Sequence, residues 1–539
     1  MRIALVHPPP RSEFDRHWAR FPALGIAYVA SSLRAAGHEI RLLDGKLDFL
    51  TVDDVVASIR DDPPDLVGLT CMTVEYPRAV EIARRIKLHQ ADLPVVVGGA
   101  HVNAVGRQAL VEGDAFDYAC IGEGEYLACE LAEALEKGTD PVGVPGLVSR
   151  RGRRIVTAPP RPPPENYDLL PFPAWDLFRP VKTLPLLTHR GCPFQCVFCG
   201  HNSGFKPRYR TPANVLDEVE EILARYGPER IRIEDETFGL HMGRTKAILE
   251  GIISRDLHRR VRFSAQTRVD RVDDDFMRLL QTANFEVLEL GVESGNPDML
   301  LSIQKGITLD QVERAVALAR QNGLRVWCKF ILGHPHETHE TVRDTMNFIA
   351  KINPDQLSVS IMTPFPGTPI HEMALRGEGG YRMLAGGWED FDKYSSGVLE
   401  LETISLGQLK RYQIACYLNL YLRNRRFAEL TRLLVSHRAV GAEMLRSAAG
   451  RTAREVLARA AGRRATAAAP VTAAYATSPP GAGDHRPTPV LHSAFGSFRA
   501  KPPSRTARGD RARSEGEDRE HPTSARPAAG ATRSERSKG

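Results

Sequence analysis

Three of the eight cysteines fall in one ten-residue stretch, Gly191-Cys192-Pro193-Phe194-Gln195-Cys196-Val197-Phe198-Cys199-Gly200. Thiols separated by three and then two residues can hold three irons of a four-iron cluster and leave the fourth iron without a protein ligand. An electron passed through that open corner to a bound sulfonium can break a carbon–sulfur bond, which no side chain can do alone. The competing assignment is a structural zinc knot, with His201 completing a set made by Cys192, Cys196 and Cys199.

The loop resembles the signature of the radical S-adenosylmethionine enzymes, Cys-x-x-x-Cys-x-aromatic-Cys, with Phe198 at the aromatic position. The resemblance implies that Cys192, Cys196 and Cys199 carry a 4Fe-4S cluster. It implies further that S-adenosylmethionine binds the open iron and that its reductive cleavage gives a 5'-deoxyadenosyl radical. An electron donor such as flavodoxin or ferredoxin is implied with it.

Such a loop must sit at the end of a buried strand, and Thr183 to Thr188 reads as one. Thr211-Pro212 then starts a helix with Val215, Val219, Ile222 and Leu223 on one face. Strands are expected near 230–234, 261–266, 287–291, 326–332 and 356–361, with helices between them, one opened by the capping box Thr308-x-x-Gln311. Six strand–helix repeats specify a partial TIM-type (β/α)6 barrel with its site at the carboxyl-terminal rim.

Polar motifs fall on that rim: Asp235-Glu236 after the second strand, Arg268 after the third, Glu293-Ser294 after the fourth and Gly333 to Glu337 after the fifth. A zwitterionic ligand needs a carboxylate for its ammonium and a guanidinium for its carboxylate. By resemblance to the family, the segment at Asp235 and Glu236 contacts the amino group of S-adenosylmethionine and Arg268 its carboxylate. Glu293 and Ser294 then face ribose or carboxylate, and Gly333 to Glu337 flank the adenine. Taken singly, Arg268 and Glu236 also fit solvated loop charges.

Residues 1–145 alternate strands and helices at lengths that specify a doubly wound, Rossmann-like α/β sheet, with ligand at the carboxyl ends of the strands. Those ends are Pro8 to Pro10, Thr70 to Thr73, Gly98-Gly99-Ala100-His101 and Gly122-Glu123-Gly124-Glu125. Paired glycines let backbone approach a bulky ligand, although glycines after strands often serve only the turn. The order of features resembles the cobalamin-binding domain found before the radical domain in one branch of the family. This assigns Pro8, Thr70, Gly98, Gly99, His101, Gly122 and Glu123 to cobalamin. The Asp-x-His-x-x-Gly motif that supplies a lower axial histidine is missing, since Asp44-Gly45-Lys46 has no histidine in place.

A hairpin and proline-rich linker is expected over 146–180, the barrel over 181–375, and a helical region over 376–460 that covers the substrate side. Tyr167, Phe172 and Trp175 are placed to pack where the linker crosses between the ligand domains. In the helical region Leu409, Tyr412, Ala415, Cys416 and Leu420 make an apolar stripe. From 461 to 539 the composition is that of a disordered basic tail.

The chain has 539 residues and a net charge of +6, of which the segment from Arg451 onward supplies 17 Lys plus Arg against 8 Asp plus Glu. The body is therefore slightly acidic, and no nucleic-acid partner is expected. No apolar run is long enough for a membrane span or a signal peptide. Single, scattered Cys71, Cys120, Cys129, Cys328 and Cys416 suit a reducing cytoplasm.

The expected activity is a cobalamin-dependent methyl transfer from S-adenosylmethionine, by way of methylcobalamin, to a substrate radical on carbon or phosphinate phosphorus. The alternatives are an oxidative cyclisation of the magnesium-porphyrin kind, a ring rearrangement, and a non-catalytic cobalamin sensor. His201, Asn202 and His334 are candidate substrate contacts.

Overall fold

The computed structural model describes residues 1–10, 21–201, 203–392 and 397–436, and these form two large parallel sheets. Asn202 and the expected basic tail lie outside the described residues. In the first sheet, β1 (Arg2–His7), β2 (Glu39–Asp44), β3 (Leu66–Thr70), β4 (Val95–Gly98) and β5 (Tyr118–Cys120) run parallel in the order β2-β1-β3-β4-β5. Helices cover both faces, which explains why β1 is buried from Ile3 to His7 without alternation. The strand order reverses between β1 and β3, so the ligand crevice of this sheet opens beside Pro8, Thr70 and Cys71. The expected hairpin, β6 (Leu147–Arg151) and β7 (Arg154–Thr157), joins antiparallel at the β5 edge.

The second sheet contains β8 (Thr183–Leu186), followed by the short antiparallel pair β9 (His189–Arg190) and β10 (Arg208–Tyr209) as a separate ribbon. It continues through β11 (Arg230–Ile233), β12 (Arg262–Thr267), β13 (Phe285–Glu293), β14 (Arg325–Leu332) and β15 (Gln356–Ile361), six parallel strands in sequence order. This is the expected partial barrel. The helix Pro212–Arg225 starts where the Thr211 hydroxyl caps the Asn214 amide, and it buries Val215, Leu216, Val219 and Ile222. Beneath the strands, Phe263 and Phe238 stack on Phe285 at centroid distances of 5.4 and 5.9 Å.

The carboxyl-terminal region departs from expectation. From Tyr381 the described residues form a two-stranded ribbon, β16 (Tyr381–Met383) with β17 (Leu399–Leu401), with one 3-10 turn at Trp388–Asp390 between them. Only then does the helix Leu406–Arg423 begin, capped by Ser405 and burying Leu409, Cys416 and Leu420 of the apolar stripe. That helix lies along the barrel's β15 edge, and its Leu409 reaches the turn at Gly333. Gln413 donates to the Val359 carbonyl at 2.7 Å, and the Val359 amide donates to the Tyr417 hydroxyl at 3.1 Å. Two side chains thus take the hydrogen bonds that another strand would offer β15.

Candidate functional site

The cysteine loop is closed at its neck by β9 and β10, where Arg190 pairs with Arg208 in register. Gly191 opens the loop at φ +92, and a Cβ there would lie 2.5 Å from the Lys206 carbonyl oxygen. Only glycine fits such a turn. The Cys192 amide donates to the Gly204 carbonyl at 3.1 Å and the Cys199 amide to the Cys196 carbonyl at 3.0 Å, which fold the loop on itself. Val197 ties it to the barrel, donating to Ile303 and accepting from the Ile370 amide.

All three thiols are free, and they act on one another: burial first, then Cys196 and Cys192, pushes the Cys199 thiol up. Burial also pushes up Cys196, against the opposing pull of Lys305 and Arg268. Among the described residues no three His, Cys, Asp or Glu side chains converge as a single metal ion requires. Three thiolates in one loop can each take a separate corner of a multi-iron cluster. His201 instead packs its ring on Phe205 at 4.3 Å.

Asp235 and Glu236 are adjacent but play different parts. Asp235 is fully buried and accepts from the Thr188 amide (2.7 Å) and hydroxyl (2.5 Å), the His189 amide (3.2 Å) and His189 Nδ1 (2.8 Å). Four donors fill a carboxylate's capacity, so no oxygen is left for an ammonium group. Burial opposes the charge on Asp235, yet His189 and Thr188 hold its carboxyl below the usual range. Glu236 has the oxygen that Asp235 lacks, a buried Oε2 with no hydrogen-bond partner among the described residues.

Arg268 supplies the opposite charge. Its guanidinium lies 3.6 Å over the Phe194 ring of the cysteine loop and bonds Asp270 and the Lys305 carbonyl, leaving Nη1 buried and unpartnered among the described residues. Beside it, Glu293 sits at φ +73 where β13 slips register against β14, a conformation that costs a non-glycine residue about 1–3 kcal/mol. The slip turns its carboxylate onto Lys305 Nζ at 2.6 Å. A Cβ at Gly291 would touch both groups, at 2.8 and 2.9 Å. An anion receptor and a cation receptor thus flank the three thiols, as a zwitterionic sulfonium ligand requires.

Ser294 and Glu337 turn inward instead of toward that space. The Ser294 hydroxyl meets Thr345 at 3.1 Å and accepts from the Asn296 amide. Glu337 caps its own turn, accepting from the Gly333 and His334 amides, and burial raises its carboxyl. His334 is fully buried and bonds the Glu293 carbonyl.

At the first sheet's rim, Gly99 has φ +102, and its Cβ position is 2.7 Å from the Cys71 carbonyl oxygen. Gly122 has φ +97 with open space around it, and its amide donates to Asn103 at 2.8 Å. Pro8, Thr70 and Gly98 occupy the neighbouring strand ends. His101 is fully buried between Tyr76 (4.3 Å) and Trp388 (5.0 Å), with Nε2 unpartnered among the described residues and its pKa lowered by burial to about 3. Glu123 is not directed at this crevice: Tyr167, Arg190 and Arg208 take both its oxygens. The open backbone turn at Gly122 and an imidazole nitrogen without a partner among the described residues fit a large, amide-rich ligand such as a corrin.

The two rims face each other. The Gly367 turn after β15 lies against Ala104, and Trp388 bonds Glu112 at 2.7 Å. Sequence reasoning missed His189, Lys305 and Arg190, each of which takes its role from a partner distant in the chain. It also missed the buried His7, Asp44 and Glu75, joined by the partly exposed Lys46, beside the carboxyl ends of β1 to β3. Charged residues directly after apolar strands were its only local trace.

A family model described as the radical SAM superfamily matches residues 186–349, and one for the B12 binding domain matches residues 19–132. The chain is 32% identical over 433 residues to an uncharacterized methyltransferase of Pyrococcus horikoshii, covering 78% of this chain and 93% of that protein. It is 28% identical to the anaerobic magnesium-protoporphyrin IX monomethyl ester cyclase of Rubrivivax gelatinosus, over 69% of this chain and 70% of that one. The radical S-adenosylmethionine methyltransferase TsrM from Kitasatospora setae, solved with cobalamin and a 4Fe-4S cluster bound, shares the fold at a TM-score of 0.62. Identity there is 20%, with 78% of this chain and 88% of that chain covered.

Proposed function

The chain belongs to the radical S-adenosylmethionine enzymes that carry a B12-binding domain, and from that premise we propose that it moves a methyl group from S-adenosylmethionine to an unactivated carbon or phosphinate phosphorus of a small molecule. The observation that carries this reading is the pairing of sites. Three free thiols flanked by the unpartnered Glu236 Oε2 and Arg268 Nη1 belong to one rim, and a glycine-lined crevice belongs to the rim facing it.

In this reading Cys192, Cys196 and Cys199 hold the cluster, with Phe198 in the wall beside it. Glu236 receives the ammonium of S-adenosylmethionine, Arg268 receives its carboxylate, and Glu293 with Lys305 borders the same space. Asp235 orients His189 and fixes the strand end below the loop. Ser294, Gly333 and Glu337 hold the shape of the adjoining turns. Pro8, Thr70, Gly98, Gly99, His101 and Gly122 surround the corrin. When bound, the two cofactors supply reductive cleavage of a sulfonium and carriage of a methyl group. A flavodoxin or ferredoxin delivers the electron, and the enzyme works in the cytoplasm; among the described residues no helix is long and apolar enough to cross a membrane. We assign residues 1–145 to the corrin and 181–375 to the radical chemistry.

S-adenosylmethionine labelled on its methyl group tests the reading. Label in the product together with release of 5'-deoxyadenosine supports transfer. Label confined to methionine would refute it and favour a cyclisation of the kind named for the Rubrivivax relative.

A further inference from the structure

Two arginines stand directly opposite each other at the neck of the cysteine loop, Arg190 on β9 and Arg208 on β10. Like charges in that position repel, because cross-strand neighbours lie only about 5 Å apart. The barrel's own described residues give Arg208 only the Ser203 carbonyl there. The compensating anions come from the other sheet. Glu123 bonds Arg190 at 3.2 Å and Arg208 at 2.8 Å, and Glu125 bonds Arg190 at 2.6 Å. The linker residue Tyr167 donates its hydroxyl to Glu123 and lies under both guanidinium groups, at 5.0 and 5.3 Å. These charged side chains are no more than 13% exposed.

Glu123 is the N-cap and Glu125 a first-turn residue of the helix Gly124–Glu136, which follows directly on the open Gly122 turn at the first sheet's rim. One side of the turn borders the corrin site and the other holds the neck of the loop with all three thiols. We propose that Glu123 and Arg190, with Arg208, are positioning residues that couple cobalamin binding to the set of the cluster loop, so that each cofactor raises the affinity for the other. A corrin that orders the turn fixes the carboxylates, and fixed carboxylates close the neck. This inference rests on the two cofactor sites proposed above.

Coupling of this kind is reciprocal and typically amounts to about tenfold in affinity. The test is titration of the full-length protein with hydroxocobalamin, followed by absorbance, with the cluster reconstituted and after its removal by a chelator. The wild type should bind hydroxocobalamin about tenfold more tightly with the cluster in place, and hydroxocobalamin should slow iron loss to the chelator by a similar factor. Glu123→Gln preserves shape but removes the shared charge, so the ratio should fall to about one while both cofactors still bind. Tyr167→Phe leaves every charge in place and should keep most of the ratio. If Glu123→Gln does not fold, the double variant Glu123→Gln/Arg208→Gln, which balances the charge change, takes its place. A wild-type ratio near one, or a wild-type ratio retained in the glutamine variant, overturns the coupling. Protein that binds neither iron nor cobalamin overturns the cofactor assignment itself.

Discussion

His7 titrates unusually, and its environment sets how the first sheet responds to pH. It ends β1 with Nδ1 3.1 Å from Asp44 and Nε2 3.5 Å from Glu75, while Lys46 bonds Glu75 at 2.9 Å. Burial alone would lower its pKa, but Glu75 and Asp44 outweigh burial and raise it from 6.5 to about 9. Because the folded chain holds this proton more tightly than the unfolded chain, the contribution is complete below pH 6.5 and is lost as pH rises through 9. Moving between those values is worth roughly 3 kcal/mol. Glu75 and Asp44 act in the opposite direction: despite burial, His7 holds both carboxyls below their usual range, so their contribution is lost only in acid. Urea unfolding of wild type and His7→Gln, at about pH 6 and about pH 10, isolates the effect. The wild type should lead at the lower pH by roughly 3 kcal/mol and lose that lead at the higher one. A difference between the two proteins that does not change with pH would refute the reasoning.

Asp235→Asn should place an amide against buried donors, cost about 3 kcal/mol and lower both melting temperature and iron content. Glu236→Gln should leave both unchanged and weaken S-adenosylmethionine binding, and the reverse pattern in calorimetry would exchange the two roles. Gly99→Ala forces a Cβ to within 2.7 Å of the Cys71 carbonyl at a left-handed position, at a cost of about 3 kcal/mol. Cobalt content after loading with hydroxocobalamin should fall while iron content holds, and unchanged cobalt would remove Gly99 from the crevice.

The architecture was legible because its signals are local. Apolar runs such as Ile3 to Val6, the Thr308-x-x-Gln311 box and the glycines after strands each report on their own neighbourhood. The capping pair Thr51-x-x-Asp54 carries the same kind of signal for the helix Val52–Asp61. Site roles were less legible, because they depend on what a side chain meets across the fold. Asp235 and Glu236 look alike in sequence, and only contact with Thr188 and His189 separates a saturated carboxylate from an open one. Glu123 looked like a ligand contact for the same reason, since its partners lie about forty to ninety residues away. The ribbon after Tyr381 is not legible in the sequence, because its few apolar residues carry neither a helical nor an alternating spacing long enough to decide between helix and strand.

Gln413 and Tyr417 hold the β15 edge of the barrel from outside. The sheet there ends on a detachable splint, not on a strand committed to the ladder. A chain cut inside the splint would leave β15 free to adhere to another copy of itself.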